Sequence, residues 1–254
     1  MGSPYKERPG GAANGTITFH YARFLEEGKQ IPNPARNLQK SVAERPGVGR
    51  PTRAQQEQRH EELLNVALDI FLERGYEQTT MEEIAVQVGM SKRTVYARYA
   101  DKGALFKATV RRAIEAYTVP RETLDALASD DLEQTLIAIA RLRIKNVSTP
   151  VGIKLQRILS AQSYRFPELF NVAFQEGTGP TIDFLCDLFT RLSAQGVVHV
   201  EEPRRAATAF LSLVAGGPTR ILVSGNSIAD AEIETHVRFA VRLFLVGIRP
   251  LRET

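Results

Sequence analysis

Residues 81–99, MEEIAVQVGMSKRTVYARY, constrain the fold more than any other stretch of this 254-residue chain. Gly89 can end a first short helix in a left-handed conformation, and Ser91 can cap a second one. Ala85, four residues before the glycine, is small enough for two helices to approach closely. Val95, six residues after it, can anchor the second helix against the first. The pattern predicts two short helices that are joined by a tight turn.

A longer helix is predicted before this turn. The stretch TRAQQEQRHEELLNVALDIFLERGY repeats apolar residues at i, i+3, i+4 and i+7, and Gly75 is expected to end the helix. Thr80 and Glu83 form a capping box at the start of the next helix, and Asp101 can cap a further one near Lys102. Three compact helices and a fourth therefore occupy about fifty residues, counted along the printed sequence.

The rest of the chain shows helical periodicity and almost no strand alternation, so the sequence predicts an all-α fold of about nine to ten helices. Gly177, Gly179 and Pro180 should kink or split the long helix in which they lie. The helices after the turn are expected near 102–118, 121–128, 131–147, 151–164, 167–193, 203–223 and 230–247.

Positive charge is unevenly placed along the chain, whose formal net charge is +4. Residues 1–53 carry nine Lys or Arg and four Asp or Glu, whereas residues 113–254 carry fifteen against sixteen. Residues 1–49 are rich in Pro and Gly without a persistent apolar face, which predicts a disordered extension. The excess of positive charge therefore lies in this arm and in the local cluster after Gly89.

That cluster suggests a partner, because the outward side of the second helix carries Lys92, Arg93, Thr94, Tyr96 and Arg98. Basic side chains neutralise phosphates, hydroxyl groups reach phosphate oxygens, and an arginine can read guanine in the major groove. Thr79 and Thr80, at the start of the preceding helix, offer a second anion-binding point. The alternative interpretation is a solvated basic face with buried tyrosines.

The stretch GYEQTTMEEIAVQVGMSKRTVYARYADKGALF closely resembles the DNA-binding signature of TetR/AcrR-type transcriptional regulators, and the resemblance covers about 60 residues. It implies a helix-turn-helix domain over 50–101 and an effector-binding and dimerisation domain over 102–254. Two positions depart from the family pattern: Tyr99, where Phe is frequent, and Gly103, where an acid is usual. The resemblance implies phosphate contacts from Thr80, Ser91, Thr94, Tyr96, Tyr99 and Lys102, and base contacts from Lys92, Arg93 and Arg98.

The segment GRPTR precedes the first helix and carries Arg50 and Arg53. A flexible arm of this kind can lie in a narrow minor groove, where arginine is attracted. The alternative is a basic linker that makes no fixed contact.

A single module of this size rarely gives operator affinity, so a symmetric homodimer on duplex DNA is expected. The last two helices are the candidates for its interface, although both could instead close the core of one subunit. The predicted interface residues are Phe210, Leu213, Leu222, Val237, Val241 and Phe244.

The helices between the two regions could line an apolar cavity, and the resemblance implies that a small-molecule effector binds there. Ordinary core packing is the alternative for each residue taken singly. The predicted lining residues are Leu142, Leu155, Ile158, Leu159, Gln162, Phe170, Phe174, Phe184 and Leu188, with Tyr164, Arg165 and Cys186 as further polar candidates.

No enzyme or metal-site pattern is present in the sequence. The four histidines are far apart, and none has a Cys or carboxylate at metal-ligand spacing. We therefore expect no catalysis, cofactor or metal. The single cysteine and the lack of a long apolar run predict a cytoplasmic protein without a membrane span. The alternatives are a DNA-binding accessory protein without an effector and a helical small-molecule-binding protein without operator specificity.

Overall fold

The structure, a computed structural model, describes residues 52–250, and every regular element within that range is helical, which confirms the all-α prediction. The expected disorder of residues 1–49 and the contact predicted for Arg50 lie outside the described residues. The helices are α1 Arg53–Gln78, α2 Met81–Gln87, α3 Lys92–Tyr96, α4 Lys102–Tyr117, α5 Arg121–Asp125, α6 Leu132–Ser148, α7 Pro150–Gln162, α8 Pro167–Val172, a π-helical segment Ala173–Thr178, α9 Gly179–Ala194, α10 Pro203–Val223 and α11 Asp230–Gly247.

Side-chain caps fix where most of the helices begin. Thr52 and Gln55 form a reciprocal capping box at the start of α1. The side chains of Thr80 and Asp101 accept hydrogen bonds from the third residue of α2 and of α4, as the sequence predicts. Of the capping box expected at α2, only this Thr80 half is formed, because the carboxylate of Glu83 pairs with Arg74. The cap of α6 is Asp131, whose carboxylate accepts from the amide of Gln134.

The first helix does not end at Gly75. That residue has φ +78° and breaks the regular helix, but a further helical turn follows to Gln78. This kink places Tyr76 in the core and ends the turn at Thr79.

The predicted split of the long helix over 167–193 is present. The π-helical segment ends where the amide of Gly179 donates to the carbonyl of Phe174, five residues back. Pro180 follows in the first turn of α9, where its missing N–H removes no hydrogen bond. The chain therefore forms α8, the π-helical segment and α9 instead of one continuous helix.

The buried side chains form two clusters. The N-terminal cluster joins α1 to α4 with α7 and α8, and Phe71, Tyr76, Phe106 and Phe166 meet at its centre with ring centroids 4.9–6.1 Å apart. The other cluster is built mainly from α6, α9, α10 and α11. Because α7 and α8 pack in the N-terminal cluster, the first four helices rest directly on the helices that follow them.

Within residues 52–250, α10 is the one helix whose length and composition would also suit a membrane span. The sequence predicts no membrane span because its uninterrupted apolar runs are short. The mean hydropathy of a whole helix can still be high when a few polar residues divide such runs, as in α10. Core helices pass the same test, and α10 packs against α6, α7, α9 and α11 with 33% of that window buried.

Candidate nucleic-acid interface and effector cavity

The turn between α2 and α3 is set by Gly89, which has φ +65°. The amide of Met90 donates to the carbonyl of Ala85 at 2.9 Å, and the amide of Gly89 donates to the carbonyl of Val86 at 3.1 Å. These two bonds form the Schellman ending of a helix, in which glycine best tolerates the left-handed conformation. The turn therefore fixes the angle between α2 and α3.

One side of α3 is anchored in the core. Val95 is fully buried and Ala85 nearly so, which confirms the packing roles that their spacing predicts. The remaining face carries Lys92, Arg93, Thr94, Tyr96, Ala97 and Arg98, and all of them are exposed. An exposed basic helix on a fixed turn has the geometry that fits a major groove.

Two hydroxyl-bearing caps lie at the edge of this face. Ser91 Oγ accepts from the amide of Thr94 at 3.1 Å and lies 2.8 Å from Thr94 Oγ1. Thr80 Oγ1 accepts from the amide of Glu83 at 3.2 Å, and both caps remain exposed. Helix N-termini present backbone N–H groups, so both positions can approach a phosphate.

An acid lies beside the basic face. Glu82 of α2 forms an ion pair with Lys92 of α3, and the ammonium of Lys92 lies 5.6 Å from the centre of the Tyr96 ring. The hydrogen bond from Lys92 holds the pKa of Glu82 below its usual value and raises the pKa of Lys92. In the free protein, Lys92 is thus partly neutralised by a neighbour that DNA would have to displace.

The prediction that the side chain of Thr79 contacts DNA is wrong. Thr79 is fully buried, and its hydroxyl donates to the carbonyl of Gly75 at 2.8 Å. The kink at Gly75 turns this threonine inward and leaves Thr80 on the surface.

Tyr99, a predicted phosphate contact, is bound within the protein. Its ring is half-buried, and its hydroxyl lies 2.6 Å from Nε2 of His60 on α1. Burial raises the pKa of Tyr99, and burial together with Arg98 and Arg112 lowers the pKa of His60. The pair links the segment after α3 to α1. A phosphate contact from Tyr99 stays a prediction, and the hydroxyl would have to leave His60 to make it.

Lys102 and Arg53 are engaged within the protein. Lys102 Nζ donates to the carbonyl of Tyr76 at 2.8 Å and to that of Glu77 at 3.2 Å, at the end of α1. Arg53 is exposed and pairs with Glu57 one helical turn later at 3.0 Å. Their contacts with DNA stay predictions, and both side chains would have to exchange these partners to make them.

Two adjoining cavities lie among the helices that follow α4. The larger one, of about 530 Å³, is bounded by α6, α7, the π-helical segment, α9 and α10, and the smaller one, of about 60 Å³, also touches α4. Three residues, Arg143, Gln156 and Thr178, line both. The larger cavity has the size of a small-molecule site.

The predicted lining of this site is only partly right. Phe174 lines the larger cavity, and Leu155 and Leu159 line the smaller one. The other predicted residues lie elsewhere: Leu142, Phe184 and Leu188 are buried in the C-terminal cluster, Ile158 is buried in the N-terminal cluster, Phe170 is exposed, and Gln162 lines neither cavity.

The three further polar candidates are wrong as well. Tyr164 is 99% exposed, and Arg165 pairs with Glu77 and stacks on the ring of Tyr76. Cys186 lines neither cavity.

Comparison with known families now adds to this geometry. A model of bacterial regulatory proteins of the tetR family matches residues 63–109, and a model of the C-terminal domain of AefR-like transcriptional repressors matches residues 134–247. The chain belongs to the TetR family of transcriptional regulators. The two matched regions contain the α2–α3 turn and most of both cavities' lining.

Individual TetR-family relatives agree with this assignment. The HTH-type transcriptional repressor BepR of Brucella suis biovar 1 is 27% identical over 154 residues, which are 50% of this chain and 72% of BepR. A TetR-family regulator from Mesorhizobium loti superposes with a TM-score of 0.66 at 25% identity, covering 78% of this chain and 100% of that one. The flavonoid-responsive regulator FrrA has a TM-score of 0.63 at 28% identity, with 77% and 99% covered.

In this TetR-family chain, half of the predicted interface residues face inward. Phe210, Val237 and Val241 are fully buried in the C-terminal cluster, so they are wrong as interface residues. Leu222 is 9% exposed, and Leu213 and Phe244 pack against the cluster with part of their surface open. The exposed apolar side chains of α11 are instead Phe239, Leu243 and Val246.

Several residues of these sites escaped the sequence analysis. Arg143 and Ser212 line the larger cavity, Glu82 pairs with Lys92, and His60 holds Tyr99. An acid two residues after an N-cap, as Glu82 is, looks in sequence like an ordinary first-turn residue, and Arg143 looks like part of a solvated helix face. A signal for them exists only once the helices are packed together.

Proposed function

We propose that this TetR-family protein is a repressor that binds a palindromic operator as a homodimer and is released by a small, mostly apolar effector. The observation that carries the DNA-binding part is the exposed basic face of α3, which the turn at Gly89 and the buried Val95 hold away from the core. Arg93 is the candidate for reading a base, and Thr80, Ser91, Thr94 and Tyr96 are the candidates for phosphate contacts.

Repression is supported by the C-terminal family model and by one relative. The matching C-terminal family model describes AefR-like transcriptional repressors, and BepR is itself named a repressor. A repressor needs no contact with the transcription machinery beyond occupying its operator. The α3 face and a dimer are therefore sufficient for the proposed activity.

A homodimer is supported by the outer face of α11. Phe239, Leu243 and Val246 follow one another at i, i+4 and i+7 and are 66%, 52% and 60% exposed. Ile221 near the end of α10 is a further exposed apolar side chain, at 40%. Exposed apolar stripes of this kind mark protein–protein contacts, and a two-fold contact between equal helices would pair two α3 helices on one duplex.

Effector release is supported by the larger cavity, whose lining joins α10 to the π-helical segment. The π-helical segment also contacts the end of α4, because Oγ1 of Thr118, the residue that follows α4, donates to the carbonyl of Glu176 at 3.0 Å. FrrA is named as flavonoid-responsive, which supports a role for a small aromatic molecule in this branch of the family. A ligand that prefers the cavity shape of the DNA-incompetent state would lower the operator affinity.

We also propose a cytoplasmic location and no catalytic activity, and the family assignment supports both. A regulator that binds chromosomal DNA acts in the cytoplasm of a bacterium, and the TetR family is one of regulators, not of enzymes. Neither a cofactor nor a metal enters the proposed mechanism.

The operator-binding proposal is tested by selecting duplexes from a random pool with the full-length chain. The expected products carry two inverted half-sites, with two chains bound per duplex and an affinity that falls steeply with salt. Arg93→Ala is expected to relax preference at one base pair by about tenfold, whereas Tyr96→Phe weakens all duplexes alike.

Arg191→Gln is the matched control, because it removes one exposed positive charge at the end of α9, away from α3. It should leave selection and affinity unchanged. Recovery of no preferred sequence, or of single half-sites bound by one chain, would overturn the proposal.

A further inference from the structure

The larger cavity follows one face of α10. Its lining includes Thr208, Ser212, Ala215 and Thr219, which are spaced three or four residues apart, and it continues to Ser224 just after the helix. At a rise of 1.5 Å per residue, the stretch from Thr208 to Ser224 extends over about 24 Å. Hydroxyl groups are therefore the main polar groups that this helix offers to a ligand.

Two of these hydroxyl groups already use their protons within α10. Thr208 Oγ1 donates to the carbonyl of Arg204, and Ser212 Oγ donates to the carbonyl of Thr208, each at 2.9 Å. Such bonds run back along the helix to the residue four positions earlier. A hydroxyl group has one proton and two lone pairs, so each oxygen keeps only acceptor sites. The wall of the cavity therefore offers a pair of acceptors at these two positions.

The charges of the lining restrict the ligand further. Arg143 and Arg220 line the larger cavity, and among residues 52–250 the lining of both cavities includes neither Asp nor Glu. An ammonium group would therefore meet like charges and no carboxylate. An oxyanion does not suit the acceptor pair either, because its lone pairs would face those of Thr208 and Ser212. A neutral O–H or N–H group can donate to both oxygens, so this side of the cavity favours a neutral donor.

The same cavity offers apolar and aromatic surface. Leu211 of α10, Ile182 of α9 and Phe174 of the π-helical segment line it. The ring of Phe174 is 45% exposed and makes no ring contact with another aromatic side chain of the described range 52–250. An exposed ring in a cavity can pack against the ring of a ligand, either offset or edge to face. An aromatic body is therefore the apolar part that best fits this lining.

We propose that the ligand of the larger cavity is a neutral phenol, whose hydroxyl group donates a hydrogen bond to Thr208 or Ser212 and whose ring packs against the apolar lining that includes Phe174. The inference rests on the proposed effector role of this cavity and names the chemical class of the effector. A phenol joins a donor directly to an aromatic ring. With a pKa of about 10, its hydroxyl group also keeps its proton at neutral pH.

A ring beside Phe174 also connects the ligand to the DNA-binding helices. Phe174 belongs to the π-helical segment, in which Glu176 pairs with Arg111 of α4 at 2.6 Å. The carbonyl of Glu176 accepts a hydrogen bond from Thr118, the residue after α4, at 3.0 Å. Because α4 packs with α1 in the N-terminal cluster, a ligand that moves Phe174 acts on a segment that is bound to the DNA-binding part of the chain.

Two probes that share one ring system separate hydrogen bonding from apolar burial. 2-Naphthol is a neutral phenol, and 2-methoxynaphthalene replaces its phenolic proton with a methyl group. A purely apolar cavity would bind the ether about three- to fourfold tighter, because the ether buries one more carbon group. We expect the full-length protein to bind the naphthol about three- to tenfold tighter instead. Because the chain has no tryptophan, naphthalene fluorescence can measure both affinities.

Variants then place the preference at the acceptor pair. The double variant Thr208→Val with Ser212→Ala should weaken the naphthol by about three- to tenfold and leave the ether unchanged. Thr190→Val is the matched control, because the Thr190 hydroxyl also donates to the carbonyl four residues back, that of Cys186, and the residue lines neither cavity. It should change neither affinity.

Two further variants complete the set. Ser212→Phe fills the cavity from α10 and should abolish binding of both probes. If circular dichroism shows that the double variant does not fold, Ser212→Ala replaces it, since this position is exposed, and the preference for the naphthol should fall at least about twofold.

Tighter or equal binding of the ether by the wild-type protein would overturn the proposal. So would binding of neither probe, a preference for the naphthol that survives the acceptor variants, its loss in Thr190→Val, or unchanged naphthol binding in Ser212→Phe. A cavity that prefers the ether would still be a candidate effector site. Failure of the effector role itself would appear in a different measurement, as operator affinity that does not change when a ligand fills the cavity.

Discussion

At the residue scale, the exposed face of α3 is flanked by side chains of α1 and α2 that interact with residues of α3 and of the segment after it. Glu82 and His60 both act on residues of α3 or its C-terminal end, the first through charge and the second through a hydrogen bond to Tyr99. A substitution at either residue tests how it acts on this part of the protein.

Replacing Glu82 with Gln should strengthen operator binding. The substitution releases Lys92 from its ion pair and removes a negative charge that lies beside the phosphate-facing surface. We expect the affinity to rise by about two- to fivefold at low salt, with a steeper salt dependence because one more free cation releases counterions. Operator titrations at several salt concentrations measure both quantities.

Glu202→Gln is the control for this charge change, because Glu202 is the N-cap of α10 and pairs with Arg205, away from α3. Its affinity should match that of the wild-type protein. An unchanged or weaker affinity in Glu82→Gln would mean that the pair orients Lys92 for DNA instead of competing with it.

The lowered pKa of His60 predicts that the stability of the protein depends on pH. Burial, Arg98 and Arg112 lower the pKa of His60 below 6.5 in the folded protein, and Glu61 opposes them weakly. Below pH 6.5 the unfolded chain therefore binds more protons than the folded one, so stability is complete above that pH and is lost as the pH falls through the lowered pKa.

Urea unfolding between pH 7 and pH 5 tests this relation. The free energy of unfolding should fall as the pH falls, with a slope that corresponds to at most about one proton bound on unfolding. His60→Gln should remove the contribution of His60 to this slope. Tyr99→Phe, which keeps the ring but not the hydroxyl, should retain the slope, because burial and the two arginines are its main causes. Parallel curves for wild type and His60→Gln would show that His60 titrates alike in both states.

At the element scale, the turn between α2 and α3 could be predicted from sequence, whereas most of the residues that line the cavity could not. The turn depends on the backbone conformation of Gly89 and on the close packing of Ala85 and Val95, which all lie within about ten residues. Their spacing in the sequence is therefore enough to predict it. Thr79 and Thr80 show the limit of such local inference. They are neighbours with opposite exposure, and the kink at Gly75 decides which one turns inward.

The corner between α6 and α7, which carries several cavity residues, depends on a glycine for steric reasons. A Cβ at Gly152 would lie 2.5 Å from the carbonyl oxygen of Asn146 and 2.9 Å from that of Val147. Backbone oxygens cannot move aside cheaply, so Gly152→Ala is expected to lower the free energy of unfolding by about 1–3 kcal/mol.

Gly216→Ala is the matched control in α10, since a Cβ there meets no atom within 4 Å. Removing a glycine from a helix interior should leave stability unchanged or raise it by up to about 1 kcal/mol. Urea denaturation midpoints compare the two variants. Equal stability of both would show that the α6–α7 corner relaxes without cost.

At the scale of the whole molecule, the sequence predicts α10 and α11 as the helices of a dimer interface but does not show which face of α11 stays exposed. α11 is apolar on two sides: Val237, Ala240 and Val241 pack inside, whereas Phe239 and Leu243 point outward. Helical periodicity alone does not say which stripe meets the core of its own subunit. Similarly, Arg143 becomes a cavity residue only where α6 crosses α7, α9 and α10, which no local pattern encodes.

The outer face of α11 leads to a prediction for assembly. Leu243→Glu puts a charge in the middle of the stripe formed by Phe239, Leu243 and Val246, all of which are more than half exposed in one chain. Its effect on the fold of a subunit should be small, because the side chain already meets solvent. In a dimer the same glutamate would be buried twice, about the two-fold axis, at a cost that the apolar contact cannot offset.

We therefore expect sedimentation equilibrium to give a dimer for the wild-type protein and a monomer with unchanged helix content for Leu243→Glu. Operator affinity should fall by at least about a hundredfold, because a single chain binds only one half-site. Val197→Glu, which changes an equally exposed apolar residue after α9, should remain dimeric and bind normally. A dimeric Leu243→Glu protein would place the interface on another surface, whereas a monomer with full operator affinity would show that one α3 helix is enough.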